Sequence, residues 1–209
     1  GFGRWRRGQW RVSGKGLKAF SAGAWSRLVR PLGDGVRVAY GVKFTADGSG
    51  VALVAAFRNS DGSTFVEPIK QANLGEGIEW LIDELVELAP YAAQIVIDGK
   101  AGVGYLVNAL RDAGVKNKRL IILPTLDQVV AAHSMLEQEV IQGRISHGGD
   151  PELSKQVEHA VKRKIGNNGG FGWDAPEGES VVMLDAMTLA LWGVKTTKRR
   201  PGKGTKVSA

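Results

Sequence analysis

The order of hydrophobic patterns along the chain most restricts its fold. Between Val36 and Phe57 two apolar runs, "VRVAYGVKF" and "GVALVAAF", flank the tight turn Ala46-Asp47-Gly48-Ser49-Gly50, as two antiparallel strands joined by a hairpin would. After a second turn at Asn59-Ser60-Asp61-Gly62, "STFVEPIK" reads as a third strand. The period then changes. "EGIEWLIDELVELA" places Ile78, Leu81, Ile82, Leu85 and Leu88 on one face of an amphipathic helix. "AQIVIDG" is a short buried strand ending in Asp98, "AGVGYLVNALRDAG" a helix stopped by Gly114, and "RLIILP" a buried strand ended by Pro124. "TLDQVVAAHSMLEQEVIQG" predicts a long helix with Thr125 as its cap and Gly143 closing it. "DPELSKQVEHAVKRK" predicts a helix opened by Asp150 and Pro151, and "ESVVMLDAMTLALWG" an apolar helix ending at Gly193. Three antiparallel strands followed by alternating helices and strands imply a mixed α/β sheet with helices on both faces.

A chain of 209 residues with 43% hydrophobic content can bury one sizeable core. No run approaches the roughly 18 apolar residues of a membrane span, and no basic-then-apolar signal peptide opens the chain, so a soluble intracellular protein without a membrane partner is expected. The absence of cysteine excludes disulfides, thiolate metal sites and cysteine nucleophiles. The net charge of +7 is unevenly spread: residues 1 to 30 hold eight Lys or Arg and no acid, residues 195 to 209 hold six and no acid, and the 164 between them stand at −7. Such basic arms attract a polyanion, which makes nucleic acid the leading partner class; the competing reading is that they solubilise the chain or belong to an interface. Trp5 and Trp10, interleaved with arginines, suit either base stacking or packing on a neighbouring domain, and the tail is expected to be disordered.

The strand and helix order resembles the ribonuclease H-like arrangement. That resemblance implies one carboxylate on the first strand, another at the end of the fourth and a third on a late helix, converging on one edge. Two magnesium or manganese ions, about 4 Å apart, would act there on a phosphodiester. Asp98 and Asp185 stand in the second and third places. Each has a plainer alternative, Asp98 as a turn residue before Gly99 and Asp185 as a group capping or pairing near its helix start. An isolated charge within "VVMLDAMTLALW" nevertheless needs a partner or a metal.

The segments "YGVKFTADGSGVALVAAF", "IVIDGKAGVGYLVNALRDAG", "GRISHGGDPELSKQVEHA", "GGFGWDAPEG" and "LDAMTLALWG" are similar, in order and spacing, to the nuclease half of the large terminase subunit of tailed bacteriophages. The likeness runs from about Trp25 to Gly193. It implies a two-metal endodeoxyribonuclease that cuts double-stranded DNA during genome packaging, in the cytoplasm of the phage's host. It also implies an ATPase domain, a small terminase subunit and a portal as partners. The chain has no GxxxxGK[ST] loop, and "PGKGTK" has the wrong spacing for one. The division expected is a basic arm at 1–30, similar to the end of the connection from the ATPase domain, a nuclease domain at 31–194, and a basic tail at 195–209.

The chain departs from this pattern at Lys43, where the family has a metal-binding aspartate. Three readings compete: a substitution engineered to suppress cutting, a natural replacement with Asp47 or another carboxylate covering part of the lost role, or a strand-end lysine on a misaligned strand. An ammonium at a metal position repels the cation, so a damaged first metal site is expected. Lys43 also makes a catalytically silent DNA-binding or motor-coupling module credible, and a Holliday-junction resolvase of the same fold is the nearest other enzyme. His147, in "SHGGD", is read as lying in a flexible loop, where it orients DNA or a water, or serves a structural hydrogen bond. Lys100 touches a phosphate or is a solvated loop residue. Lys162, Arg163 and Lys164, with Arg199 and Arg200 of the tail, would track phosphates. His133 and His159 fall inside helices as solvated or core residues, and three unclustered histidines make no zinc site. "DGKAGVG" lacks dinucleotide-binding spacing, and no G-x-S-x-G elbow frames a serine nucleophile.

Overall fold

In the computed structural model, residues 17–201 are described; Trp5, Trp10 and the tail past Pro201 lie outside them. The hairpin forms as β1 (Arg37–Phe44) and β2 (Gly50–Arg58), followed by antiparallel β3 (Thr64–Asn73). Pro68, which has no N–H to donate, sits where the β2–β3 register shifts. β4 (Gln94–Asp98) lies parallel to β1, and β5 (Ile121–Ile122) extends that parallel edge. At the other edge β6 (Ile145–His147) pairs parallel to β3, giving the order β5-β4-β1-β2-β3-β6.

Alternation along the strands divides the core between two faces. Tyr40, Val42 and Phe44 join Leu53, Ile95 and Ile97 beneath α1 (Glu79–Leu88) and α2 (Val103–Asp112). Ala39, Ala52, Val54 and Ala56 face α3 (Leu126–Ile141), α4 (Pro151–His159) and α5 (Val182–Thr196). Thr125 and Gln128 form a capping box on α3, and the Asp150 side chain caps α4, with Pro151 in its first turn. The face under α5 is built for close approach. A Cβ added at Gly41 would lie 2.0 Å from the Ala186 carbonyl oxygen, and one at Gly193 2.8 Å from Val96 Cγ2.

Several expectations are corrected. The helix opened by Asp150 ends at His159 rather than running through Lys164, because Ala160 turns extended and Val161–Ile165 (β7) pairs antiparallel with Gly170–Asp174 (β8). This two-stranded sheet is separate from the main one. Gly193 does not end the last helix, which continues to Thr196; the missing side chain serves packing against Val96 and Ala39. The boundary at residue 30 cuts through the core, since Phe20, Trp25 and Leu28 are buried in it. The described part of the segment beyond 194 is ordered against the domain: Lys195 and Thr196 complete α5, and Arg199 Nη1–H donates to the Ala93 carbonyl at 2.7 Å.

His147 is likewise no loop residue. It ends β6, 1% exposed, with its ring stacked on Trp25 at 3.9 Å between centroids. Gly149 N–H donates to Nδ1 at 3.0 Å, so Nε2 carries the proton it donates to the Trp25 carbonyl at 2.8 Å. Burial holds the imidazole below its ordinary 6.5, against the opposing pull of the Trp25 carbonyl.

Two outcomes are expected from this packing. Gly41→Ala drives a methyl into the α5 backbone and should cost on the order of 3 kcal/mol, read as a lowered urea midpoint with unchanged slope. For His147 the folded value lies below the unfolded one, so the unfolded chain takes up the proton first. Its contribution is complete above about 6.5 and is lost as pH falls below that toward the folded value. The melting temperature should therefore drop between about pH 7.5 and about pH 5.5, and His147→Gln should flatten that drop while lowering stability at neutral pH.

Candidate active site

Parallel pairing of β1 with β4 makes Lys43 and Asp98 direct partners at the C-terminal ends of both strands. Their neighbours Val42, Phe44 and Ile97 are turned to the opposite core, so both polar groups emerge on the face under α5. Lys43 Nζ donates to Asp98 Oδ2 at 2.7 Å, with the two side chains 23% and 28% exposed. The chain after Asp98 turns tightly over Phe44. Gly99 takes φ 110°, and any Cβ there would meet the Phe44 carbonyl oxygen at 2.5 Å.

Helix α5 runs antiparallel to β1 on this face: Gly193 lies over Ala39, and Ala186 and Ala190 lie over Gly41. Its first turn therefore reaches the end of the sheet that carries Lys43 and Asp98, and Asp185 belongs to that turn. From Val182 to Val194, Asp185 alone is not buried. Its Oδ1 faces His133 Nε2 at 3.7 Å, while His133 Nδ1–H donates to the Val129 carbonyl at 2.7 Å. Sequence reasoning left His133 without a role. It shares a helix face with buried Leu136 and Val140, but no spacing in the chain links it to Asp185.

The other candidates are placed differently. Asp47 accepts from Thr45 Oγ1–H at 2.7 Å and from Ser49 N–H and Oγ–H at 2.9 and 2.6 Å. Those hydrogen bonds, chiefly from Ser49, lower its pKa to about 2 and commit it to the hairpin turn. Lys100 is exposed in the turn after Asp98. Lys162, Arg163 and Lys164 lie on β7: Lys162 is paired with Glu137 and sits 4.3 Å over the Phe171 ring, Arg163 Nε–H donates to the Trp173 carbonyl at 3.2 Å, and Lys164 is exposed. Arg200 is exposed, whereas the guanidinium of Arg199 is held by backbone carbonyls of residues 92 and 93. His147 belongs to the far edge of the sheet, with β2 and β3 between its strand and β1.

The present side chains do not fit a two-ion centre. One of the two strand-end positions is an ammonium that already holds a carboxylate oxygen of Asp98, and among the described residues no three His, Asp or Glu side chains gather as a metal site. Also among the described residues, no helix is long and apolar enough to cross a membrane.

No protein-family model and no curated relative matches the chain. Solved structures do. The large terminase of bacteriophage HK97 superposes with a TM-score of 0.67 at 17% identity, over 83% of this chain and 43% of that one. The large terminase nuclease of thermophilic phage G20c gives 0.60 at 14% identity, over 83% of this chain and 96% of that one, and has also been solved with bound magnesium. The nuclease domain of the bacteriophage SPP1 large terminase, solved with bound manganese, gives 0.51 at 16% identity, over 76% and 86%. This chain thus spans less than half of the HK97 protein and nearly all of the G20c nuclease. Its mixed sheet, with helices on both faces, has the ribonuclease H-like fold of the nuclease domains of phage large terminases.

Proposed function

We propose that this chain is the nuclease domain of a DNA-packaging terminase, acting on double-stranded DNA, in which Lys43 stands at a metal-ligand position and suppresses cutting. The observation that carries this reading is the Lys43–Asp98 ion pair at the ends of adjacent parallel strands, on the face crossed by the helix that bears Asp185. The magnesium and manganese in the G20c and SPP1 nucleases support a divalent metal for a form with a carboxylate at position 43, held by Asp98, Asp185 and that carboxylate. Such an ion supplies positive charge to a phosphodiester under attack. In the lysine form the ammonium neutralises Asp98 and opposes a cation by something like several kcal/mol at low effective dielectric.

Lys100, Lys164 and Arg200 have exposed cationic groups suited to phosphates, and the unevenly basic ends of the chain extend the same attraction. An ATPase domain, a small subunit and a portal complete the packaging machine under this reading, of which the chain is one part. The ion pair also favours a second reading, a silent DNA-binding or motor-coupling domain, since it satisfies Asp98 without metal.

Plasmid nicking and thermal melting of the native chain and of Lys43→Asp, with and without manganese, test both readings. The lysine form should cut little or not at all. Lys43→Asp should cut in a metal-dependent way, be abolished by Asp98→Ala, and melt lower in chelator, by the equivalent of about 1–3 kcal/mol, because its carboxylates repel. No cutting by Lys43→Asp would support the silent module. Robust metal-dependent cutting by the lysine form would show that Lys43 is not at a metal position.

A further inference from the structure

The turn that carries Asp185 is held by a residue from another helix. The N-cap residue of α5, Val181, makes no side-chain cap, so the first amides of the helix need acceptors from elsewhere. Ser180 Oγ accepts from Val182 N–H at 3.1 Å. Gln156 Oε1, reaching across from α4, accepts from both Met183 N–H at 2.9 Å and Leu184 N–H at 3.1 Å. Gln156 is 2% exposed. Backbone N–H groups only donate, which fixes the amide orientation: Oε1 meets α5 and Nε2 points the other way. Nε2 donates to Gln71 Oε1 at 2.8 Å and to Glu152 Oε1 at 3.1 Å.

Gln71 is what gives this arrangement its reach. In β3 it lies opposite Ala52 of β2, Ala52 lies opposite Lys43 of β1, and Lys43 is paired with Asp98 of β4. One cross-strand row thus runs Asp98, Lys43, Ala52, Gln71, and Gln156 joins its far end to the two residues before Asp185. The joint needs an acceptor on one side and a donor on the other within a single buried side chain. A carboxamide meets both needs; a carboxylate retains only the acceptor, and a thioether offers no donor and only a weak acceptor.

We propose that Gln156 is a positioning residue for cleavage, setting where the Asp185 turn stands relative to the Lys43–Asp98 row. This rests on the nuclease reading above, and the two fail separately. In the full chain, hydrogen exchange resolved by residue should show Met183 and Leu184 amides exchanging about tenfold faster in Gln156→Met, with Leu189 and Ala190 still protected. Gln156→Glu, which keeps an oxygen at the cap, should keep those two amides slow. Gln71→Met, at an exposed position, should leave the fold and the two amides intact while releasing the joint from the sheet. In the Lys43→Asp background, Gln156→Met, Gln156→Glu and Gln71→Met should each lower kcat about tenfold with little change in DNA affinity, because each variant lacks one side of the joint. Unchanged exchange at Met183 and Leu184 in Gln156→Met, or loss of protection along the whole helix at once, would overturn the proposal. So would full cleavage by Gln71→Met. If Lys43→Asp never cuts, the nuclease reading falls, and the exchange rates still decide whether Gln156 holds the turn.

Discussion

Helix α5 lies against the sheet at backbone contact distance because β1 presents Ala39 and Gly41 to it and β2 presents Ala52, Val54 and Ala56. Larger side chains on those strands would hold the helix further out. The rest of that layer is arranged around it. Trp173 of β8 donates from Nε1 to Thr188 Oγ1 at 2.9 Å, Lys195 pairs with Glu139 of α3, and Gln156 of α4 caps the first turn. A helix surrounded this way can be apolar on every side, and α5 nearly is. Asp185, in the turn that reaches the end of the sheet, is the one residue from Val182 to Val194 that is not buried.

Charge at that end follows from the same geometry. Asp98 and Asp185 bring two negative groups to one end of one face, and Lys43 returns a single positive charge to Asp98. Under the proposed reading, a carboxylate at 43 would add a third negative group at this end of the face and remove the cation that now pairs with Asp98. The ammonium relieves Asp98 by a charge-assisted hydrogen bond and needs no ligand from solution. With about a quarter of each side chain exposed, water screens part of that attraction, so the pair contributes only modestly to holding the fold together.

The basic residues are less uniform than their sequence density suggests. Lys162 is turned to Glu137 and Phe171, and Arg199 is spent on carbonyls at the start of β4. Each neutralises or satisfies a group of the protein itself, which reduces what it has left for phosphate. Lys100 and Lys164 have no such engagement of their exposed cationic groups among the described residues. A run of like charges in a sequence therefore overstates the cationic face, because the chain folds some of it inward.

Local patterns carried much of this fold. The hairpin, the amphipathic spacing of α1, the cap at Thr125, the Asp150-Pro151 start and the strand ending in Asp98 all rest on neighbouring residues, where sterics and short-range hydrogen bonds act directly. The same logic failed at "VKRK", whose pattern continued a helix while its partner strand lay beyond the next turn. It failed at His147, where glycines suggested mobility and Trp25, far away in the chain, closed the ring into the core. Residue types determined that an aspartate inside an apolar helix needed a partner, since an unpaired charge there is costly. Tertiary structure alone decided the partners: Lys43 for Asp98 through the parallel insertion of β4, His133 beside Asp185, and Gln156 beneath its turn. Register across strands and the crossing of a helix over small residues are set by packing between distant segments, and no local pattern encodes them.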